Sequence, residues 1–415
     1  MKGIFVILDG VADEPCSKLG DKTPLEYAKT PNLDFFASKS NVYSCNPIAK
    51  GVAPQSSSGI VSLFGRDFRD YPRGVLEAVG AGVNLNKGDL VLRCNFSTID
   101  SLSSLKLIDR RAGRTLTGIE IRELTDAVNS KVKLPFKFEL IPTNGHRAIL
   151  VFRGDFSSKI SNVDPAYESG LSVESSENKV KMSIPQEDGR SAILTADLVN
   201  TFVRKSYVIL ENHPVNIARK KKGFFPANFV LCRDPGNFIP EINSLPGKWM
   251  GFSYMPLEKG ISKLFGMNIM SFNLPSLDKD DFYEYAEAIL SKAIEKAVEM
   301  ISNYHNMQDY FYIHFKETDL PGHDNKPMQK VKFIEMIDKN FFGKLKEIAT
   351  DFRMVVTADH TTSCRLKAHT SHPVPVIFYD SLSTKTQNIR FTERDSLNCS
   401  EINGRQLLKK TLFSD

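Results

Sequence analysis

Three apolar runs from distant parts of the chain end in side chains that bind metal ions. Gly3-Ile4-Phe5-Val6-Ile7-Leu8 runs into Asp9. Tyr310-Phe311-Tyr312-Ile313-His314-Phe315-Lys316 leads to Asp319 and His323. Met354-Val355-Val356-Thr357 ends in Asp359-His360, with His369 close behind. Short apolar runs read as buried parallel strands, and open α/β sheets bind ligands outside the carboxyl ends of their strands. The pattern predicts a metal centre assembled from both ends of the sequence. Its candidate ligands are Asp9, Ser56, Asp319, His323, Asp359, His360 and His369. Carboxylates with imidazoles suit Mn²⁺, Zn²⁺ or Co²⁺. Seven donors exceed the needs of one tetrahedral ion and match two. Two ions about 4 Å apart can clamp both oxygens of an in-line phosphoryl transfer, and a metal-bound serine becomes a nucleophile.

Ser56 lies in the turn-rich stretch Gly51 to Gly59, just before the apolar Ile60-Val61-Ser62-Leu63-Phe64. Small residues at a helix start leave N–H groups free for phosphate. A plain serine-rich loop is the competing reading, and the local sequence by itself favours it. Arg111-x-x-Arg114 has two readings as well: a bidentate grip on carboxylate or phosphate, or a solvated loop. Arg219-Lys220-Lys221-Lys222, without interleaved aromatics, reads as an exposed turn.

The elements that must position these residues follow α/β grammar at both ends. Thr23-Pro24-Leu25-Glu26 is a capping box with proline at the first helical position, and Thr30-Pro31 opens a second helix. Asp280 or Asp281 caps a long helix whose apolar face is Ala286, Ile289, Ala293, Ala297 and Ile301. A further helix runs through Phe333, Ile337, Phe341 and Leu345. Pro373 to Phe378 is another strand. Between about residues 70 and 254 the texture shifts to Gly, Asn, Pro and short alternating segments. Strands are expected at 91–99, 138–142 and 147–152, and a helix at 118–128. The expectation is an α/β domain from 1–70 and 255–415, interrupted by a smaller inserted α+β domain over 71–254.

At 415 residues, with 41% hydrophobic and 25% charged content, the chain suits a two-domain globular protein. A net charge of +5 fits a small anionic substrate and calls for neither nucleic acid nor membrane. The six cysteines form no C-x-x-C pair, no stretch approaches a membrane span, and the amino terminus lacks a signal-peptide core. Reduced thiols and a cytoplasmic location are expected.

Together, Leu8-Asp9-Gly10, T-P-L-E, T-P-N-L-D, Leu63-Phe64-Gly65, Arg111-Ala112-Gly113-Arg114, Pro226-Ala227-Asn228, the H-x-K-x-x-D-x-x-x-H of 314–323, T-A-D-H at 357–360 and H-x-x-x-P-V-P at 369–375 span essentially the whole chain. In this order they resemble the archaeal-type cofactor-independent phosphoglycerate mutases of the alkaline phosphatase superfamily. The resemblance implies an alkaline-phosphatase-like doubly wound sheet with an inserted substrate domain. It implies interconversion of 3-phosphoglycerate and 2-phosphoglycerate through a phosphoserine, in glycolysis and gluconeogenesis, without bisphosphoglycerate. Two divalent ions are implied, Mn²⁺ foremost, with Zn²⁺, Co²⁺ or Mg²⁺ as other choices. Asp319, His323 and His369 would hold one ion; Asp9, Ser56, Asp359 and His360 would hold the other. Ser56 matches the nucleophile. Arg111, Arg114, His146, Arg147 and Lys316 match substrate contacts, with Lys316 facing the transferred group. His372 is a bystander.

One departure stands out. The family's nucleophile loop usually reads P-G-S-D-x-A-H, whereas this chain reads Pro54-Gln55-Ser56-Ser57-Ser58-Gly59-Ile60. The acidic residue after the serine and the later histidine are both absent. Two other functions therefore stay open: a metal-dependent phosphatase or mutase for another phosphorylated molecule, and a weakened metal- and phosphate-binding homologue.

Overall fold

The strand Lys2–Leu8 is apolar on both faces and lies in the middle of an eight-stranded sheet. Across the sheet the order is Asn268–Met270, Trp249–Phe252, Tyr310–Phe315, Lys2–Leu8, Phe352–Thr357, Val374–Asp380, Ser40–Asn46 and Ser400–Asn403. The first five strands are parallel, which is why they read as continuous apolar runs. Val374–Asp380 runs antiparallel to both of its neighbours, so the sheet is mixed. The computed structural model describes residues 2–168, 170–173, 178–275, 281–348 and 351–414.

Register decides where the chemistry goes. Leu8 lies opposite Phe315, and Ile7 lies opposite Thr357. The residues that follow, Asp9, Lys316 and Asp359, therefore leave the sheet at one edge. Two glycines permit the close approach of the flanking segments. A Cβ on Gly59 would sit 2.2 Å from the Asp359 carbonyl oxygen, so the helix Ser56–Leu63 packs directly on that strand end. Gly10 has φ +52°, and its missing Cβ leaves room for Thr362 Oγ1, Asp319 Oδ1 and His360 Cε1.

Helix starts follow their sequence signals. Thr23 and Glu26 form a capping box, Pro31 opens the helix Pro31–Ser38, and Asp281 caps Phe282–Tyr304 through Tyr283 N at 2.7 Å. Asp280 lies outside the described residues. The helix expected through Phe333 to Leu345 is instead two helices, Pro327–Ile337 and Gly343–Ile348, joined by a π-helical turn at Asp338–Phe342. The reason is Asp338, whose carboxylate leaves the helix to accept from Leu33 N at 2.6 Å and Asn32 Nδ2 at 3.0 Å.

A second sheet has its own hydrophobic core. Leu90–Ile99 pairs antiparallel with Leu107–Asp109, Arg147–Phe152 and Phe229–Gly236, and Phe138–Pro142 joins at the far side. Helices Gly118–Lys131 and Arg190–Glu211 cover one face. The second of these has 22 residues where the sequence read as short alternating segments. Exposed Ile193, Leu194 and Val208 on its outer side blur the helical period. The other face is covered by the helix Arg73–Ala81, through Val75 and Ala78 against Val91, Ile149 and Val151. This helix also packs on Pro256–Leu264, backbone against backbone. A Cβ on Gly80 would lie 1.8 Å from Pro256 O, and one on Gly260 would lie 1.9 Å from Leu76 O. Trp249–Phe252 pairs in the large sheet and packs in its core, although it falls within the span 71–254 expected for the inserted block. All six cysteines are free, and Cys94 and Cys232 face each other across two strands with sulfurs 3.4 Å apart.

Candidate metal centre and substrate cavity

The strand ends deliver acids and imidazoles to one place. His360 Nε2 lies 3.1 Å from Asp9 Oδ1, 3.4 Å from Asp359 Oδ2 and 3.2 Å from Ser56 Oγ. In the neighbouring group, His369 Nε2 lies 3.6 Å from Asp319 Oδ1 and 3.2 Å from His323 Nε2, and His323 Nε2 lies 3.4 Å from Asp319 Oδ2. The rings of His360 and His369 stack at 3.6 Å, so the two groups adjoin. The second nitrogen of each imidazole is anchored. His360 Nδ1 meets Thr362 Oγ1 at 3.0 Å, His369 Nδ1 meets the Pro54 carbonyl at 2.8 Å, and His323 Nδ1 meets the Lys367 carbonyl at 3.0 Å. Such anchoring orients the free nitrogen toward an ion.

His314 joins this centre, although the sequence placed it only inside an apolar strand and a motif, with no role. Its Nε2 is 3.7 Å from Asp9 Oδ2 and 4.0 Å from Asp359 Oδ2. Asp9, His314 and Asp359 each offer an atom within 4.8 Å of the others, and so do Asp319, His360 and His369. Asp359 Oδ2 and His314 Nε2 are buried without a hydrogen-bond partner. Buried charge is costly unless paired or bound to metal. These donors therefore fit cations.

Electrostatics agree with that fit. Burial works to raise the Asp9 carboxyl, but Lys316 and His360 outweigh it and hold Asp9 well below the usual carboxylate range. Burial and the Asp9 charge push Asp359 up, a strain that a cation between them would relieve. Burial, then Lys316, keeps His314 neutral, as a ligand must be. Burial also lowers His323, to about 4, against the pull of Asp319. Lys316 forms an ion pair with Asp9 and reaches Glu258 Oε1 at 3.1 Å. Burial would lower it, but these acids raise it further, so it stays charged.

Facing this centre is a cavity of about 870 Å³. Asp9, Ser56, Lys316, Asp319, His323 and His369 line one side, and Arg111, Arg114, His146 and Arg147 line the other. Arg114 is paired with Asp324 beside His323 and lies over the Phe282 ring. His372 is absent from the lining and its Nδ1 bonds Thr370 Oγ1 at 3.0 Å.

Three arginines that the sequence reading passed over, Arg73, Arg93 and Arg233, complete the wall. Arg73 Nε and Arg93 Nε both donate to Glu77 Oε1, at 2.8 and 2.7 Å. Burial and crowding by Arg233 bring Arg93 down to about 9, and burial and Arg114 bring Arg111 down to about 10. Such mutual repulsion marks a pocket built for anions. A signal existed: Arg93 and Arg233 each sit inside an apolar strand, Val91-Leu92-Arg93-Cys94 and Val230-Leu231-Cys232-Arg233. Arg219 was also misread as part of an exposed turn. Lys220, Lys221 and Lys222 are exposed, but Arg219 is buried and braces the Arg111 loop from behind. It donates to Ala112 O, Thr115 O, Thr115 Oγ1, Phe225 O and Glu120 Oε2.

The family model of the 2,3-bisphosphoglycerate-independent phosphoglycerate mutases matches residues 37–216. The chain is 36% identical to the enzyme of that name from Aeropyrum pernix, covering 91% of this chain and 90% of the other. It is 34% identical to the one from Thermococcus kodakarensis, covering 95% and 92%. Among solved structures, a Pyrococcus horikoshii protein aligns with TM-score 0.72 at 25% identity over 99% of this chain and 96% of its own. The cofactor-independent phosphoglycerate mutase of Thermoplasma acidophilum aligns with TM-score 0.54 at 28% identity, covering 100% and 99%.

Proposed function

The chain belongs to the 2,3-bisphosphoglycerate-independent phosphoglycerate mutases, a family of isomerases, and on that premise we propose that it interconverts 3-phosphoglycerate and 2-phosphoglycerate through Ser56. The observation that carries the proposal is the placement of Ser56. It opens the helix Ser56–Leu63 with its Oγ 3.2 Å from His360, in a cavity shared with the arginines of the second sheet.

Asp319, His323 and His369 would hold one cation and Asp9, Ser56, Asp359 and His360 the other, with His314 a further donor beside Asp9 and Asp359. Manganese is the first choice for such a donor set. When bound, the ions supply positive charge that eases deprotonation of the serine and neutralises the phosphoryl oxygens. The chain's own groups do the rest. Ser56 Oγ sheds its proton and bonds to phosphorus, and the ester bond to glycerate breaks as that oxygen regains a proton. The helix start and Lys316 favour the added negative charge. Arg111, Arg114, His146 and Arg147 hold the glycerate carboxylate while the molecule reorients. The other hydroxyl then takes the phosphoryl group from the serine. Glycerate held beside the phosphoserine competes with water for the phosphoryl group.

The fold supports a two-domain reading. The large sheet and its helices form one domain, and the block from about residue 89 to 236 forms the inserted one. Free cysteines and a glycolytic family support a cytoplasmic enzyme; among the described residues no helix is long and apolar enough to cross a membrane.

The test is product analysis with Mn²⁺ and 3-phosphoglycerate. 2-Phosphoglycerate should form with little free phosphate, and Ser56→Ala should abolish transfer while the fold persists. Dominant phosphate release would show a phosphatase instead.

A further inference from the structure

Gln55, the residue before the proposed nucleophile, has no part in the reaction as described above. Its side chain is fully buried. Its carboxamide oxygen accepts from Arg233 Nη1 at 2.9 Å and from Arg73 Nη1 at 3.2 Å, and its nitrogen donates to Asp234 Oδ1 at 3.1 Å. Its backbone is fixed as well: Gln55 N donates to Ser58 Oγ at 3.0 Å, and Gly59 N donates to the Gln55 carbonyl at 2.8 Å. One residue thus joins the first turn of the Ser56 helix to two guanidiniums of the cavity wall. One of these, Arg233, belongs to the second sheet.

A second clasp lies beside it. Ser172 N donates to Ala53 O at 3.0 Å, and Ser172 Oγ lies 3.0 Å from His369 Nδ1. The segment 53–55 is therefore where the inserted block docks on the serine loop.

We propose that Gln55 is a positioning residue, whose neutral amide ties Arg73 and Arg233 to the Ser56 loop without adding a negative charge to the acids already beside them, Glu77 and Asp234. The chemistry of the amide is the reason. A carboxylate at this place would bind guanidiniums more strongly. It would also cancel charge meant for a substrate carrying both phosphate and carboxylate, and would face the Asp234 carboxylate that Gln55 now satisfies. An apolar residue would leave Asp234 and both arginines short of a partner. Only an uncharged group with both an acceptor and a donor fits between two guanidiniums and a carboxylate. The effect on the reaction is retention. Arginines fixed in the cavity wall that Ser56 shares keep glycerate in place during reorientation, and arginines free to swing let it escape and leave phosphoserine to water. This inference rests on the reading of Ser56 as nucleophile.

The experiment compares Gln55→Glu, Gln55→Met and Ser56→Ala with the parent enzyme loaded with Mn²⁺. It reads kcat and KM for 3-phosphoglycerate, free phosphate released per 2-phosphoglycerate formed, and melting temperature. Gln55→Met keeps the volume and removes the hydrogen bonds. Gln55→Glu keeps the acceptor and adds the charge. The expected result is a KM raised about tenfold or more in Gln55→Glu with a smaller change in kcat, and a phosphate fraction raised several-fold in Gln55→Met. A merely structural role would lower the melting temperature in both variants and leave KM and the phosphate fraction at parent values; that outcome overturns the inference while the serine reading stands. Transfer retained by Ser56→Ala overturns the serine reading and the inference with it.

Discussion

Arg219 is the most informative single substitution in this protein. It is 1% exposed and makes five hydrogen bonds: three to Ala112 and Thr115, one to the Phe225 carbonyl and one to the Glu120 carboxylate. The loop it braces is strained. Ala112, Gly113 and Arg114 have φ of +45°, +69° and +56°. Two non-glycine residues in that region cost about 1–3 kcal/mol each. Replacing Arg219 by Met removes the donors to the Ala112, Thr115 and Phe225 carbonyls, at about 1–3 kcal/mol for each buried acceptor left unsatisfied, while Glu120 keeps its bond from Thr117 N. Replacing it by Lys keeps the charge but loses the planar fork, so part of the same loss is expected. The strained loop then relaxes, and Arg111 and Arg114 leave the cavity wall. Denaturant unfolding of Arg219→Lys should show the stability loss, and steady-state kinetics should show KM for 3-phosphoglycerate raised about tenfold, equivalent to about 1.4 kcal/mol of lost binding. Adding Arg219→Lys to an Arg111→Met, Arg114→Met background should raise KM no further. An unchanged KM in Arg219→Lys beside a clear stability loss would refute the claim that Arg219 sets the arginine loop. No change in either would refute the bracing itself.

Chelator should abolish activity and lower the melting temperature, Mn²⁺ should restore both, and metal analysis should find about two ions per chain; indifference to chelator would remove the metal centre. Gly260→Ala places a Cβ 1.9 Å from the Leu76 carbonyl, so the two helices must separate, costing about 1–3 kcal/mol in thermal unfolding. Glu393 gives a pH dependence away from the site. Burial raises it to about 7, while bonds from Thr23 Oγ1 and Asp13 N oppose the rise. The folded state thus binds a proton that the unfolded state has lost above its own pKa of 4.5. Stability is favoured below pH 4.5 and falls by up to about 3 kcal/mol as pH rises through 7. Glu393→Gln should flatten that slope in unfolding measured from pH 4.5 to 8; an unchanged slope would place it elsewhere.

The candidate donors were legible because each follows a buried strand or lies in a short motif. An apolar run ending in Asp9 or in Asp359-His360 carries its meaning locally. His314 was not, because a histidine inside an apolar strand reads equally well as core. Arg93 and Arg233 were passed over for the same reason: strand period says which face they share, not what that face adjoins. Arg219 was misread because its burial comes from the loops at 112–115 and 224–225, which only the fold lays over it. The long helix at Arg190–Glu211 was hidden by apolar residues on its solvent side, and the π turn at Asp338 by a partner some three hundred residues away.

By themselves the residues determined the α/β grammar, the helix caps, the acids and imidazoles of the centre and the family resemblance, because propensity, capping and strand-end motifs act over a few neighbours. Tertiary structure decided which ligands share an ion-sized space, since that depends on register: Leu8 against Phe315 and Ile7 against Thr357. It also decided that Arg233, Asp234 and Ser172 bond the segment just before Ser56, through Gln55 and Ala53. Those contacts join residues about 120 to 180 positions apart, a distance over which no local pattern carries information.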